Sequence, residues 1–268
     1  MIYLKTPNEI SIMARGGRIL AEVLFEVLRH AKVGVSELEL DKLSEKLIKE
    51  KGAEPGFKKV RGYHHSICVS TNDIVVHGIP TNYGFKMGDV VGVDCGVYYK
   101  GFHTDMAETR RVSIQNSKFK IQNSKDEIDK FLETGRKALE EAIRAAKVGN
   151  RVGHISQTIQ KIIEGQGYSV VRSLVGHGVG KKLHEKPEVP GFLATEIENT
   201  TKLIVGMTLA IEVIYNKGGS EVVYAGSDGW TIKTKDNSLS ALFERTVAIT
   251  KEGPLILTMS RSRYMQNG

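Results

Sequence analysis

The sequence predicts an α+β fold of two related halves, with antiparallel sheet flanked by helices. Three observations predict it. A helix, an "AKVG" turn and a second helix occur twice along the chain. Short runs rich in β-branched residues follow each helix pair and are separated by Gly, Asn, Asp and Lys. Neighbouring runs are joined by turns too short for a parallel crossover, so they pair antiparallel.

The first helix opens at "TPNE", Thr6 to Glu9. Thr6 is a capping residue, Pro7 suits the first helical position, and Glu9 can reach back to complete a capping box. This helix is expected to run to about Ala31. "SELE", Ser36 to Glu39, repeats the capping pattern. Leu40, Leu43, Leu47 and Ile48 then give a one-sided helix that ends near Gly52. The duplication follows: "LFEVLRHAKVG" from Leu24 aligns with "LEEAIRAAKVG" from Leu139, 115 residues later, and the register continues to Gly52 against Gly167. One catalytic domain is expected over 1–268, with pseudo-repeat halves at about 1–112 and 126–255. Between them, "IQNSKFKIQNSK" repeats "IQNSK" after seven residues. It is polar, basic and of low complexity, and reads as a surface insertion over 113–125. Strands are expected in "HSICVSTN", "DVVGVDCGVYY", "FHTDMAETRRV", "TLAIEVIY", "GWTIKTK" and "SALFERTVAIT".

A chain of 268 residues with 40% hydrophobic and 26% charged residues has an ordinary globular composition. No apolar run approaches the ~18 residues of a membrane span. The opening "MIYLKTPNEI" lacks the basic head and apolar stretch of a secretory signal. Cys68 and Cys95 are too few for a disulfide framework, so a cytoplasmic location is expected. The net charge of +7 is spread along the chain, without a zinc-finger, helix-turn-helix or RNA-binding signature. Specific DNA binding is therefore not expected.

The chemistry concentrates in a few acidic and histidine positions. A two-residue turn at Lys100-Gly101 would fold "VDCGVYYKGFHTDM" into a hairpin with Asp94 and Asp105 on one face, directly opposed or diagonal. Gly92 and Gly96, on Asp94's face, are expected to leave open space above it. Two ionised carboxylates about 5 Å apart repel by roughly 3 kcal/mol at an effective dielectric near 20. Protonation, an intervening basic side chain or a bridging cation would each relieve this. "VGHGVGKKLHEKP" adds His177 and His184 in a glycine-rich loop. Glu212 lies within the apolar strand "MTLAIEVIY", and Glu244 within "SALFERTVAIT". A buried carboxylate without a partner is costly, and Arg245 should point to the opposite face from Glu244. Two aspartates, two glutamates and at least one histidine can hold two divalent cations through bridging carboxylates. Such a pair activates water for hydrolysis.

The ordered set (Asp94, Asp105, "GHGVG" with His177, "HE" at His184, "IE" at Glu212 and "FERT" at Glu244) resembles the methionine aminopeptidases. "NDIVVHGIP" and "GWTIKTKDNSLSALFE" extend the resemblance nearly end to end. The interval from His184 to Glu212 has no room for a helical insertion, which resembles type I of that family. The resemblance implies the pita-bread (creatinase/aminopeptidase) fold, with two pseudo-symmetric halves around a dinuclear centre. It implies a metalloaminopeptidase that removes the N-terminal methionine from nascent proteins. It implies two divalent ions (Co, Mn, Fe or Zn) on Asp94, Asp105, His177, Glu212 and Glu244, with Glu212 also the proton shuttle. His184 would steady the scissile carbonyl and its oxyanion, His77 would contact substrate, and Tyr63, Cys68 and Trp230 would form the methionine pocket. A monomer acting on nascent peptide N-termini is implied, with ribosome contact through its basic surface. The sequence departs from the family pattern at "IEV" for "IEP", "FER" for "YEH", Leu183 for an aromatic and Val76 for cysteine. The alternatives are a related Xaa-Pro peptidase and a catalytically inactive pita-bread binding protein.

Overall fold

The computed structural model describes residues 2–112 and 126–259. The expected 113–125 insertion lies outside the described residues. Helix α1 spans Pro7–His30 and α2 spans Glu37–Glu50, each with the capping box in place. Helix α3 spans Glu127–Ala145 and α4 spans Val152–Glu164. The loops after α1 and α3 turn at Gly34 and Gly149, with φ of +86° and +93°. Only glycine takes that conformation without strain, which explains why both "AKVG" turns end in it.

Among the described residues, thirteen strands accompany the helices. The first five are β1 (Glu54–Pro55), β2 (Ile67–Thr71), β3 (Ile74–Val76), β4 (Val90–Tyr99) and β5 (Phe102–Arg111). After α4 come β6 (Ser169–Val170), β7 (Val175–Gly178), β8 (Glu185–Pro190) and β9 (Thr208–Asn216). The last four are β10 (Val222–Tyr224), β11 (Ile232–Thr234), β12 (Ser240–Thr250) and β13 (Gly253–Ile256). They form three antiparallel sheets: β1, β2 and β5 around β4; β10-β11-β3; and β13-β12-β9-β7-β8 with β6 on β9.

Helices α1 and α2 pack on the first sheet, burying Leu20, Leu24, Val27, Leu40 and Ile48 against Val91, Val93 and Val97. Helices α3 and α4 cover the largest sheet, with Phe131, Leu139, Ile155 and Ile159 on Leu209, Ile211, Tyr215 and Phe243. Each such side chain contributes about 1.5–3 kcal/mol by leaving water. The helices therefore cover one face of the first sheet and one face of the largest sheet, and β4 and β5 meet β9 and β12 on the side that carries the acidic residues.

Candidate metal centre and substrate cleft

Strands β4 and β5 form the hairpin read from the sequence. Lys100 and Gly101 make its turn, with φ of +47° and +92°. Positive φ at both turn residues matches the twist of the strands they join. The register opposes Gly96 to Asp105 and Asp94 to Ala107, so the two aspartates are diagonal neighbours on one face. On the facing sheet, Glu212 of β9 stands directly opposite Glu244 of β12. His177 of β7 pairs with Ala210, two residues from Glu212.

These five side chains converge. His177 Nε2 lies 3.5 Å from a Glu212 carboxylate oxygen and 3.9 Å from one of Asp105. One ligand atom each from Asp105, His177 and Glu244 fall within 4.8 Å of one another. Asp105, His177 and Glu244 are buried, while Asp94 and Glu212 are half-buried. Among the described residues, no lysine or arginine forms an ion pair with these carboxylates, and the one basic side chain beside them is His177. Arg245 points away, as expected, and bonds Glu108 at 2.6 Å.

Burial is the main cause that pushes Asp94 up to about 7, and the hydrogen bond shared with Asp105 opposes it. Asp105, Glu212 and Glu244 are held well above the usual carboxylate range, first by burial and then by each other's charge and that of Asp94. Four carboxylates in one dry space cannot all ionise without a compensating cation. The buried oxygens Asp94 Oδ1 and Glu244 Oε1 have no hydrogen-bond partner. His177 Nδ1 lies 2.8 Å from the Gly178 carbonyl, so it carries the proton and leaves the Nε2 lone pair facing the acids. Burial first, then the nearby His184, pushes His177 down to about 4, so it is neutral at pH 7. Hard carboxylate oxygens, two of them orphaned, and one neutral imidazole fit a divalent ion.

All ten residues singled out from the sequence line one cavity of about 120 Å³. His184 stands at its mouth, its ring edge-on to His177 with centroids 4.3 Å apart. His77 follows β3 with φ of +55°, a left-handed conformation rare outside glycine. Gly78, the next residue, has no room for a side chain, because a Cβ there would lie 2.0 Å from the Val69 carbonyl oxygen. Tyr63 donates to the Ile67 carbonyl at 2.8 Å, with Cys68 Sγ at 3.1 Å, and its ring lies 5.1 Å from Trp230. Tyr63, Cys68, Phe57 and Leu183 form one apolar cluster, against which Trp230 packs. Both cysteines are free.

Two sequence expectations are corrected. His177 sits in strand β7, not in a loop. The flanking glycines serve close strand packing: a Cβ on Gly176 would lie 2.5 Å from the Ala210 oxygen, and one on Gly178 2.3 Å from the Lys186 oxygen. The space beside Gly92 and Gly96 is filled, since a Cβ on Gly96 would strike the Phe57 ring at 2.6 Å and one on Gly92 would meet Thr109 Oγ1 at 3.1 Å. The strand expected in "GWTIKTK" is present as the short β11. Phe57, Val60 and Val76 also line the cavity and were not predicted as site residues. A larger cavity of about 380 Å³ lies behind β12, where Arg136 and Arg245 both bond Glu108, and no predicted site residue reaches it.

The fold and its acidic centre define a metal-dependent hydrolase. The model of metallopeptidase family M24 matches residues 11–251, and the chain belongs to that family. It is similar to the methionine aminopeptidase of Clostridium perfringens, at 42% identity over 97% of this chain and 99% of that one. Methionine aminopeptidase 1 of Bacillus subtilis is also 42% identical, over 96% of this chain and 99% of the relative. The crystal structure of methionine aminopeptidase from Thermotoga maritima superposes with a TM-score of 0.89 at 38% identity, covering 97% of this chain and all of that one. The architecture is thus the pita-bread fold. Among the described residues, no helix is long and apolar enough to cross a membrane.

Proposed function

We infer that the chain is a metalloaminopeptidase that removes the N-terminal methionine from nascent proteins and peptides. The observation that carries this reading is that Asp94, Asp105, His177, Glu212 and Glu244 line one small cavity together with His77, His184 and the apolar cluster of Phe57, Tyr63, Cys68 and Leu183. Asp94, Asp105, His177, Glu212 and Glu244 would hold two divalent ions of the Co, Mn, Fe or Zn type. The ions supply positive charge that makes a water nucleophilic at neutral pH and polarises a carbonyl.

The remaining work belongs to the chain. The methionine side chain enters between Tyr63, Cys68 and Trp230, which exclude water from it. The free α-amino group then falls at the acidic end of the cavity, and this restricts cleavage to the first residue. Glu212, whose carboxylate lies 3.5 Å from His177 Nε2 within the cavity, would as a carboxylate take a proton from the attacking water and pass it to the leaving amine. His184, at the mouth, donates to the scissile carbonyl oxygen as charge develops there, and His77 binds the peptide beside it.

The substrate N-termini belong to nascent chains, and the site of action is cytoplasmic. Residues 1–112 and 126–255 act as the two halves of one monomeric catalytic domain. Exposed Lys58, Lys59, Arg61, Lys181 and Lys182 neighbour cavity-lining Phe57, Val60 and Leu183. Lys58 and Lys59 pair with Glu45 and Glu54, so Arg61, Lys181 and Lys182 carry the basic rim suited to ribosomal RNA near the exit of a growing chain. The test is hydrolysis of Met-Gly and Met-Ala peptides after chelation, with each ion restored stepwise. Activity returning with one or more ions supports the reading. Turnover of Xaa-Pro peptides alone, or no turnover with any ion, overturns it.

A further inference from the structure

The ligands come from two sheets, and those sheets meet where β5 lies beside β12. Among the described residues, no backbone ladder joins these two strands. Two threonine hydroxyls take its place. Thr246 Oγ1 accepts from the Asp105 N–H at 2.9 Å and donates to the Asp105 carbonyl at 2.8 Å. Thr109 Oγ1 accepts from the Leu242 N–H at 3.0 Å and donates to the Leu242 carbonyl at 2.7 Å. Each hydroxyl thus satisfies both backbone groups of one residue on the opposite strand. Both threonines have no solvent exposure, so an unmade bond there would leave polar groups buried and unpaired.

The two contacts are reciprocal. Asp105 and Thr109 flank Ala107 on β5, while Leu242 and Thr246 flank Glu244 on β12. Glu244 is therefore held midway between the two clamps, and Asp105 is gripped at its own backbone. A direct ladder would set the strands about 4.8 Å apart, and an interposed hydroxyl holds them wider. Arg245 ties the same strands from behind, donating to the carbonyls of Ala107 at 3.0 Å and Glu244 at 2.7 Å.

We propose that Thr109 and Thr246 are positioning residues for the metal centre, setting the separation of the Asp105 and Glu244 carboxylates across the junction between the sheets. The proposal rests on the reading that these carboxylates hold divalent ions. It assigns the threonines no contact with substrate or ion. A valine keeps the shape and removes the hydroxyl, whereas serine keeps the hydroxyl and removes a methyl group.

The test is calorimetric titration of chelated wild type, Thr109→Val, Thr246→Val and the two serine variants with Mn²⁺, alongside thermal unfolding of the metal-free proteins. The expected result is about 10- to 100-fold weaker Mn²⁺ binding by each valine variant, the range for lost partners of ligand residues, and near-wild-type binding by the serine variants. Valine variants that are less stable but bind Mn²⁺ as tightly as wild type make the threonines merely structural and overturn the proposal. A wild-type protein that binds no Mn²⁺, Co²⁺, Fe²⁺ or Zn²⁺ overturns the functional reading itself. If the valine variants do not fold, hydrogen exchange on the wild type decides. Slow exchange of the Asp105 and Leu242 amides, slowed further by Mn²⁺, supports the clamp, and fast exchange or no response to Mn²⁺ overturns it.

Discussion

Glu212 and Glu244 face each other directly across β9 and β12. Like charges in that position oppose strand pairing. The pair looks onto Asp105 and His177, and the proposed function gives the sheet its reason to keep them, as part of a cation site. Removing one acid should therefore harm function far more than folding. Asp105→Ala and Glu212→Ala are expected to lower turnover of Met-Ala peptides by at least about 10³-fold, within the range for lost acid-base and electrostatic groups. Their metal-free unfolding temperatures should match or exceed the wild-type value. A variant with normal turnover, or one that loses activity only by unfolding, contradicts the assignment.

The same crowding gives a pH dependence. In the metal-free chain, burial holds the Asp94 carboxyl up at about 7, against 3.8 for the free side chain. The folded chain keeps a proton that the unfolded chain releases. This contribution to stability is fully present below about pH 4 and is lost as pH rises through about 7. Asparagine mimics the protonated acid at every pH. Chelated Asp94→Asn is thus expected to unfold near the wild-type temperature at pH 4 and several degrees above it at pH 8. With saturating Mn²⁺ at pH 8 the order should reverse, because the variant lacks a ligand. Thermal scans across this range check it, and a difference that does not grow with pH sinks it.

Much of this centre was legible because hairpin geometry is local. Lys100-Gly101 fixed the turn, the turn fixed the register, and the register put Asp94 and Asp105 on one face. Glu212 and Glu244 stood out because charge interrupts an apolar strand. What spacing does not encode is contact between sheets. Thr109 and Thr246 look like ordinary β-branched strand residues, and their role depends on how β5 lies beside β12. Gly92 and Gly96 were misread for a similar reason, since the groups that fill the space beside them, Phe57 and Thr109, come from other segments. His177 read as a loop residue because glycine-rich strands look like loops until a close neighbour explains the glycines.

His77 offers a test that separates substrate contact from metal binding. It lines the cavity, yet it does not belong to the cluster of ligand atoms around His177. Its left-handed backbone, with φ of +55°, is a local strain of the kind retained at functional positions. His77→Ala is expected to slow turnover by about 10²-fold, the contribution of one well-placed polar group. Metal content by atomic absorption should equal that of the wild type. Loss of metal from this variant would place His77 among the ligands and contradict its role.

The apolar end of the cavity should control affinity rather than chemistry. Trp230 is half-buried, packs its ring on Tyr63, and lies in the loop before β11. Truncating it removes a wall without hollowing the core, so the fold should survive. Trp230→Ala is expected to raise KM for methionyl peptides by about 10-fold, corresponding to about 1.4 kcal/mol of lost apolar contact. The value of kcat should change much less, because Trp230 packs on the apolar cluster around Tyr63 and is not part of the ligand-atom cluster of Asp105, His177 and Glu244. Steady-state kinetics on Met-Ala and on a norleucyl analogue check this, since norleucine keeps the apolar length and drops the sulfur. Equal losses in KM for both would show that the wall reads shape. A collapse of kcat with KM unchanged would move Trp230 from the pocket to the reacting centre.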